Sequence, residues 1–332
     1  LGSFTTGVTR PKPSLVATSA DGVTVFGTVN IDTGSGNDSL QLGTGNFIAP
    51  TSKAAGIVVP PIEVGPVYLV ADFVVGGDLN VHSGSGDDTV VERGVYVRGT
   101  QNLDVGGGSN TIALEEGGGL TGAIGDGVAV GGDFNIHSGN GIDAIEGYDV
   151  RVGGALNVID DGGSENDVEF TVASIGLDAN FNFGAGTNNL SLGGPSAIGQ
   201  VSGTRVTIGG ALDVIFGSGD ANLSVDAAQI GLDLNVIHTR GDTNVTITNT
   251  RVRHSVNMTT GSGQDNVTID ALHARSLAIY LGSGDDNLTI SSSVTTLDTF
   301  LDGGPGTDSL TISNSARLAR LKYHNFELVT IT

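Results

Sequence analysis

The chain has 332 residues, 54 of them glycine and none cysteine or tryptophan, and acids outnumber bases 36 to 14 for a net charge of −22. That balance disfavours a nucleic-acid partner, which needs a cationic surface, and favours cations. The missing cysteines exclude disulfides, thiolate metal sites and cysteine nucleophiles.

With 38% hydrophobic and only 15% charged residues, the chain has the material for a core and not the composition of an acidic disordered tail. It holds no apolar run of about 18 residues, so no membrane span is expected. It starts at Leu1 without a signal-peptide core, and reads as a processed or excerpted chain, exported to the cell surface or the extracellular space.

Residues 1–20 lack any acid and contain Arg10, Lys12 and two prolines, which suggests an extended N-terminal arm. From residue 21 a phrase recurs, G-x-G-x-[DN]-x-U, with an aliphatic anchor U at Leu40, Val90, Ile112, Ile145, Val168, Leu190, Leu223, Val245, Val267, Leu288 and Leu310. The commonest step between anchors is 22 residues, with 33 at two places and 50 between Leu40 and Val90. A unit alternates like a strand (Leu212-Asp213-Val214), breaks at glycines, alternates again (Leu223-Ser224-Val225), and ends in a short third strand such as Gln229-Ile230 or Arg251-Val252.

Strands this short cannot bury an apolar face alone, so the units must stack. The expected fold is all-β, a parallel β-helix (β-solenoid) of about 12 coils of about 22 residues, roughly 55 Å long at about 4.8 Å per coil. One coil is expected to lie concealed between Leu40 and Val90. Val225, Ile247, Ile269, Ile290 and Ile312, two positions after their anchors, should form a core column. The solenoid should span 21–315, with insertions near 43–72, 117–127 and 193–203; the last two leave from one corner. Residues 316–332 lose the motif, ending in Leu328-Val329-Thr330-Ile331, and read as a final coil or docking tail.

The turn residues carry the chemistry. Six and four positions before each anchor the residue is almost always glycine, as a backbone with positive φ or close neighbours requires. Two positions before it stand Asp38, Asp88, Asp143, Asp265, Asp286 and Asp308, replaced by Asn110, Asn166 and Asn188 in other coils and by Ala221 and Thr243 in two more. Carboxylates repeated once per coil beside backbone carbonyls offer oxygen ligands to a hard cation; Asp and Gly also make good turns with no metal at all. Asp265, Asp286 and Asp308, in consecutive coils, are the best candidates, with Asp285, Asp38 and Asp88 beside them. Asn189, Asn222, Asn244, Asn266 and Asn287 should stack as an amide ladder, with Ser191, Ser224, Thr246, Thr268, Thr289 and Thr311 as an outward hydroxyl column.

The segments Gly303-Gly304-Pro305-Gly306-Thr307-Asp308-Ser309-Leu310 and Gly282-Ser283-Gly284-Asp285-Asp286-Asn287-Leu288 resemble the nonapeptide of haemolysin-type (RTX-like) calcium-binding repeats. The resemblance implies calcium between stacked turns and a bacterial surface β-helix, although the period here is one motif per 22 residues and not two nonapeptides per coil.

Enzymatic signatures are sparse. The six histidines are dispersed; His82 and His137 share a coil position but are separated by Asp104, and Glu115, Glu116 and Asp126 could pair only near a protruding loop. The leading expectation is a non-enzymatic structural or adhesive solenoid, a surface or fibre component, with calcium as cofactor and self as an end-to-end partner. The alternatives are a β-helix enzyme acting on polysaccharide, and a module binding ice or cell-surface glycans.

Overall fold

The computed structural model describes residues 15–16, 23–43, 73–115, 127–193, 206–313 and 315–332. Among them there is no helix, and every strand pairs in parallel with its equivalent one coil away, giving a β-solenoid of about 11 turns with equivalent residues about 22 apart. Each coil has three sides, illustrated by Leu212–Ser218, Ala221–Asp226 and Ala228–Ile230. A glycine turn joins the first side to the second, a tight corner joins the second to the third, and a second glycine-rich corner leads into the next coil.

The anchors stand in one unbroken register column. Leu40 pairs with Val90, Val90 with Ile112, Ile112 with Ile145, and so on through Leu288 and Leu310 to Val329. The direct pairing of Leu40 with Val90 overturns the concealed coil: the 50-residue step is one coil carrying an insertion. All three long connections leave the same corner, after second-side strands ending at Gly43, Glu115 and Leu192. The insertions themselves lie outside the described residues, as do Glu116, Asp126 and all of the N-terminal arm except Leu15–Val16, which stacks on Leu40–Gln41. The tail is a final coil, Leu321–His324 pairing with Thr299–Asp302 and Leu328–Ile331 with Ser309–Ile312.

The second corner has its own chemistry. In several coils without an insertion a single left-handed residue makes it: Gly94 has φ 61°, and Asp149, Ala227, Asn249, Ala271 and Ser292 have φ near +50°. Four of these six, Asp149, Ala227, Ala271 and Ser292, are neither asparagine nor glycine, so neighbouring coils must hold a conformation that costs roughly 1–2 kcal/mol per residue. At the third corner the acids alternate. Asp78, Asp133, Asp178 and Asp233 accept the backbone N–H of Thr100, Ala155, Ala211 and Ser255 in the following coil at 2.8–2.9 Å. Placing a carboxylate on every second coil keeps like charges about 9.6 Å apart while bonding the amide of the coil that follows each one.

The core is the stack of inward columns. Val225, Ile247, Ile269, Ile290 and Ile312 are in register and buried. Two amide ladders brace the outer surface. Asn222, Asn244 and Asn266 each donate to the Asn before them, and a first-side ladder not anticipated from sequence runs from Asn30 through Asn80, Asn102, Asn135 and Asn157 to Asn180.

One core position breaks the apolar rule. Glu92, between Leu42 and Leu114 in its column, is fully buried, and both its oxygens lie 2.7 Å from Gln101 Nε2. Burial outweighs that amide bond and pushes the carboxyl from its ordinary 4.5 up to about 7. Because the folded value is raised, the stabilisation is complete below pH 4.5 and lost as pH rises through 7, by roughly 3 kcal/mol. Glu92→Gln should therefore leave stability near pH 4 almost unchanged and raise it at pH 8, as read from urea unfolding midpoints at the two pH values.

Candidate functional site

The glycine turn is set by backbone proximity. A Cβ on Gly282 would lie 1.9 Å from the carbonyl oxygen of Gly261, and one on Gly284 would lie 1.6 Å from that of Gly263. Only glycine permits successive turns to nest this closely. The nesting carries the residue two before each anchor inward: Asp38, Asp88, Asp143, Asp265, Asp286 and Asp308 are all at least nine-tenths buried.

Each inward side chain bonds the preceding coil. Asp88 Oδ1 accepts the N–H of Asp38 at 2.7 Å, Asp265 that of Thr243 at 2.8 Å, Asp286 that of Asp265 at 2.9 Å and Asp308 that of Asp286 at 2.8 Å. In the last coil Glu327 takes over, accepting the Asp308 N–H at 2.7 Å. The second oxygen, Oδ2, of all six aspartates is buried without a hydrogen-bond partner.

Two of the three asparagine-bearing coils show what that second atom faces, whereas Asn166 Nδ2 donates to Asp160 and Asn188 instead. Asn110 Oδ1 accepts the Asp88 N–H, as an aspartate would, while its Nδ2 donates to the carbonyls of Gly106 and Gly108 at 3.3 and 3.2 Å. Asn188 Nδ2 does the same toward Gly184 and Gly186. In the coil bearing Thr243, the buried His238 ring fills the space, with Nδ1 at 2.8 Å from Thr243 Oγ1 and Nε2 at 2.8 Å from the Gly219 carbonyl. By register, the aspartates present an acceptor oxygen where these residues present N–H, so acceptor meets acceptor. Such a pair needs a proton or a cation between its members.

The carboxyl groups respond as buried acids do. Burial raises Asp88 and Asp286 to about 6 against the opposing pull of their backbone hydrogen bonds, with neighbouring carboxylates adding to the rise. Asp143 and Asp308 are also raised, again mainly by burial. Asp160, an inward acid one column away, reaches about 6 for the same reason while bonded to Ser138 Oγ, the Gly162 N–H and Asn166 Nδ2.

Five of the six residues singled out as metal ligands, Asp38, Asp88, Asp265, Asp286 and Asp308, share this buried column. Asp285 does not: it is exposed, and its Oδ1 accepts the Thr307 N–H at 2.9 Å. Asp143 belongs with the five, as its position two before Ile145 indicates. Among the described residues, no three His, Asp or Glu side chains gather into a group able to hold a metal ion. A cation would therefore take one carboxylate oxygen together with backbone carbonyls of the turn, oxygen donors that suit a hard ion such as calcium.

The histidines form a different arrangement from the one expected. Asp104 joins His82 and His137, with Oδ2 at 3.0 Å from His82 Nδ1 and Oδ1 at 3.1 Å from His137 Nδ1, and His137 Nε2 lies 3.1 Å from Asp161. All four are substantially exposed. A shallow depression open to solvent lies over Asp242, Gln264, Asp285 and Pro305 on the turn edge.

Searches of protein-family models, curated proteins and solved structures return no match to the chain. The Asn-bearing coils supply a direct test. Asp286→Asn should raise the melting temperature in chelator, because its amide can donate to the turn carbonyls, and should reduce the stabilisation produced by calcium. A buried unsatisfied oxygen costs about 1–3 kcal/mol, so a melt shift of a few degrees is expected; a loss of stability in chelator would contradict the acceptor-against-acceptor account.

Proposed function

We propose that the chain is an extracellular structural or adhesive β-solenoid whose glycine turns bind calcium. The observation that carries the reading is the set of six buried Oδ2 atoms without a donor, each aligned with the position where Asn110 and Asn188 donate N–H to glycine carbonyls. A cation there neutralises carboxylates that otherwise repel one another through a chain of net charge −22. Metal binding then stiffens the rod along two banks, Asp38 to Asp143 and Asp265 to Asp308, separated by coils that satisfy their turns with their own N–H groups. Self-association fits such a rod. Among the described residues, Leu328–Ile331 pairs on one side only and shows Leu328 and Ile331 to solvent at 61% and 57%, an apolar strand onto which a strand of a second copy can add.

Thermal melts in calcium and in chelator test the reading. A ligand at about 100 times its Kd stabilises by about 2.7 kcal/mol per site, so calcium should raise the melting temperature by roughly 5 °C or more. Coincident melts, together with no metal in the native mass spectrum, would refute the calcium assignment.

A further inference from the structure

The rod's charge is unevenly placed around its circumference. The acids of the glycine turn occupy the edge between the first and second sides. The third side, which does not adjoin that edge, carries Arg251 and His273 stacked in successive coils, and the corner that follows it carries Arg253 and Arg275. Arg251, Arg253, His273 and Arg275 are exposed, and none of them forms an ion pair with a described residue. Acids of the same coils bond within their own neighbourhood through Oδ1, Asp226 to Thr248 and Asn249, Asp270 to Ser291 and Asp233 to the Ser255 amide. On a chain of net charge −22, these guanidinium groups have no ion-pair partner among the described residues.

On the opposite edge of the same coils, Asp242 and Asp285 line the open depression with Gln264 between them. Each spends one oxygen on a backbone amide, Asp242 on Gln264 at 2.8 Å and Asp285 on Thr307 at 2.9 Å. The second oxygen of each is left for another partner on an exposed side chain. Arg240 is the cation on this edge, two residues before Asp242.

We propose that these two edges are complementary halves of a lateral interface, with the arginine corner of one rod docking on the Asp242–Asp285 edge of a second copy. The inference rests on the reading of the chain as a self-associating rod and adds a surface to it. Charge complementarity identifies the occupant, with Arg253 and Arg275 one coil apart, about 4.8 Å, facing Asp242 and Asp285 two coils apart, about 9.6 Å. Guanidinium groups match carboxylates in a bidentate fork. The two patches differ, so the contact is heterologous and adds rods side by side without closing. Being exposed and ionic, it weakens with salt as the screening length falls from about 30 Å at 0.01 M to about 3 Å at 1 M.

Sedimentation velocity of the whole chain at low and high ionic strength provides the test, with two variants. R251E/R253E/R275E removes the cationic edge. D242N/D285N removes the acidic charge but keeps an oxygen for the backbone amides. All substituted side chains are exposed, and unchanged melting curves would confirm that both variants fold. The parent protein should associate at low salt and dissociate at high salt. Each variant alone should be weakened roughly ten- to a hundredfold, whereas an equimolar mixture should give dimers that grow no further, since each variant retains one working edge. Association of the arginine variant as strong as that of the parent, or insensitive to salt, would overturn the lateral interface while leaving strand addition at the rod end intact. A parent protein that stays monomeric at low salt and high concentration would overturn both. A monomer that instead binds alginate through the arginines would assign the cationic edge to an anionic polysaccharide and also overturn the proposal.

Discussion

The structure depends on how closely one glycine turn approaches the next. At Gly282 and Gly284 the carbonyl above occupies the volume a Cβ would need, and this contact fixes the axial register of everything attached to it. Once two turns are nested, the anchors Leu288 and Leu310 must superpose, the Ile290 and Ile312 side chains must share a core column, and the third sides must follow at the same height. Strand pairing alone would not settle the register as firmly, because a short parallel strand can slip by two residues and keep its inward face.

The same contact turns the aspartates inward and creates the polar problem at the heart of the rod. An aspartate and an asparagine are nearly the same shape, and in this column they make the same bond to the coil before. They differ at the second atom. Asn110 donates there, whereas Asp88, one coil away, has only lone pairs to offer. The chain thus contains its own controls, with amide and imidazole groups filling in some coils the role assigned to an ion in others. The net charge says nothing about which oxygens lack a partner; the differences between coils do.

Around that axis the fold manages charge in layers. Inner carboxylates face the turns, outer ones such as Asp285 bond the next amide from solvent, and those at the third corner appear on every second coil. Arg251, Arg253 and Arg275 gather away from the glycine-turn edge, on which Arg240 stands. The carboxylates satisfy local backbone groups, and in the coils around Val245 and Val267 the arginines form a cationic cluster away from the glycine-turn acids.

Much of the fold was legible in the sequence because a solenoid translates a linear period directly into contact. The spacing of the anchors, the glycines and the Val225-to-Ile312 column appears unchanged in the register. Of the site, the sequence marked the right column through the aspartate two before each anchor. The 50-residue step misled, since length alone cannot separate an extra coil from an insertion; only the pairing of Leu40 with Val90 decides it. The period picks out Asp286 but does not show that Asp285, next to it in the chain, faces solvent, nor that Asp104 bridges two histidines 55 residues apart in the chain, His82 and His137. The period determined which residues share a column. Which way each side chain points, and which polar atoms are left without a partner, was decided by the stacking of the turns, because burial and hydrogen bonding arise between coils and not within one.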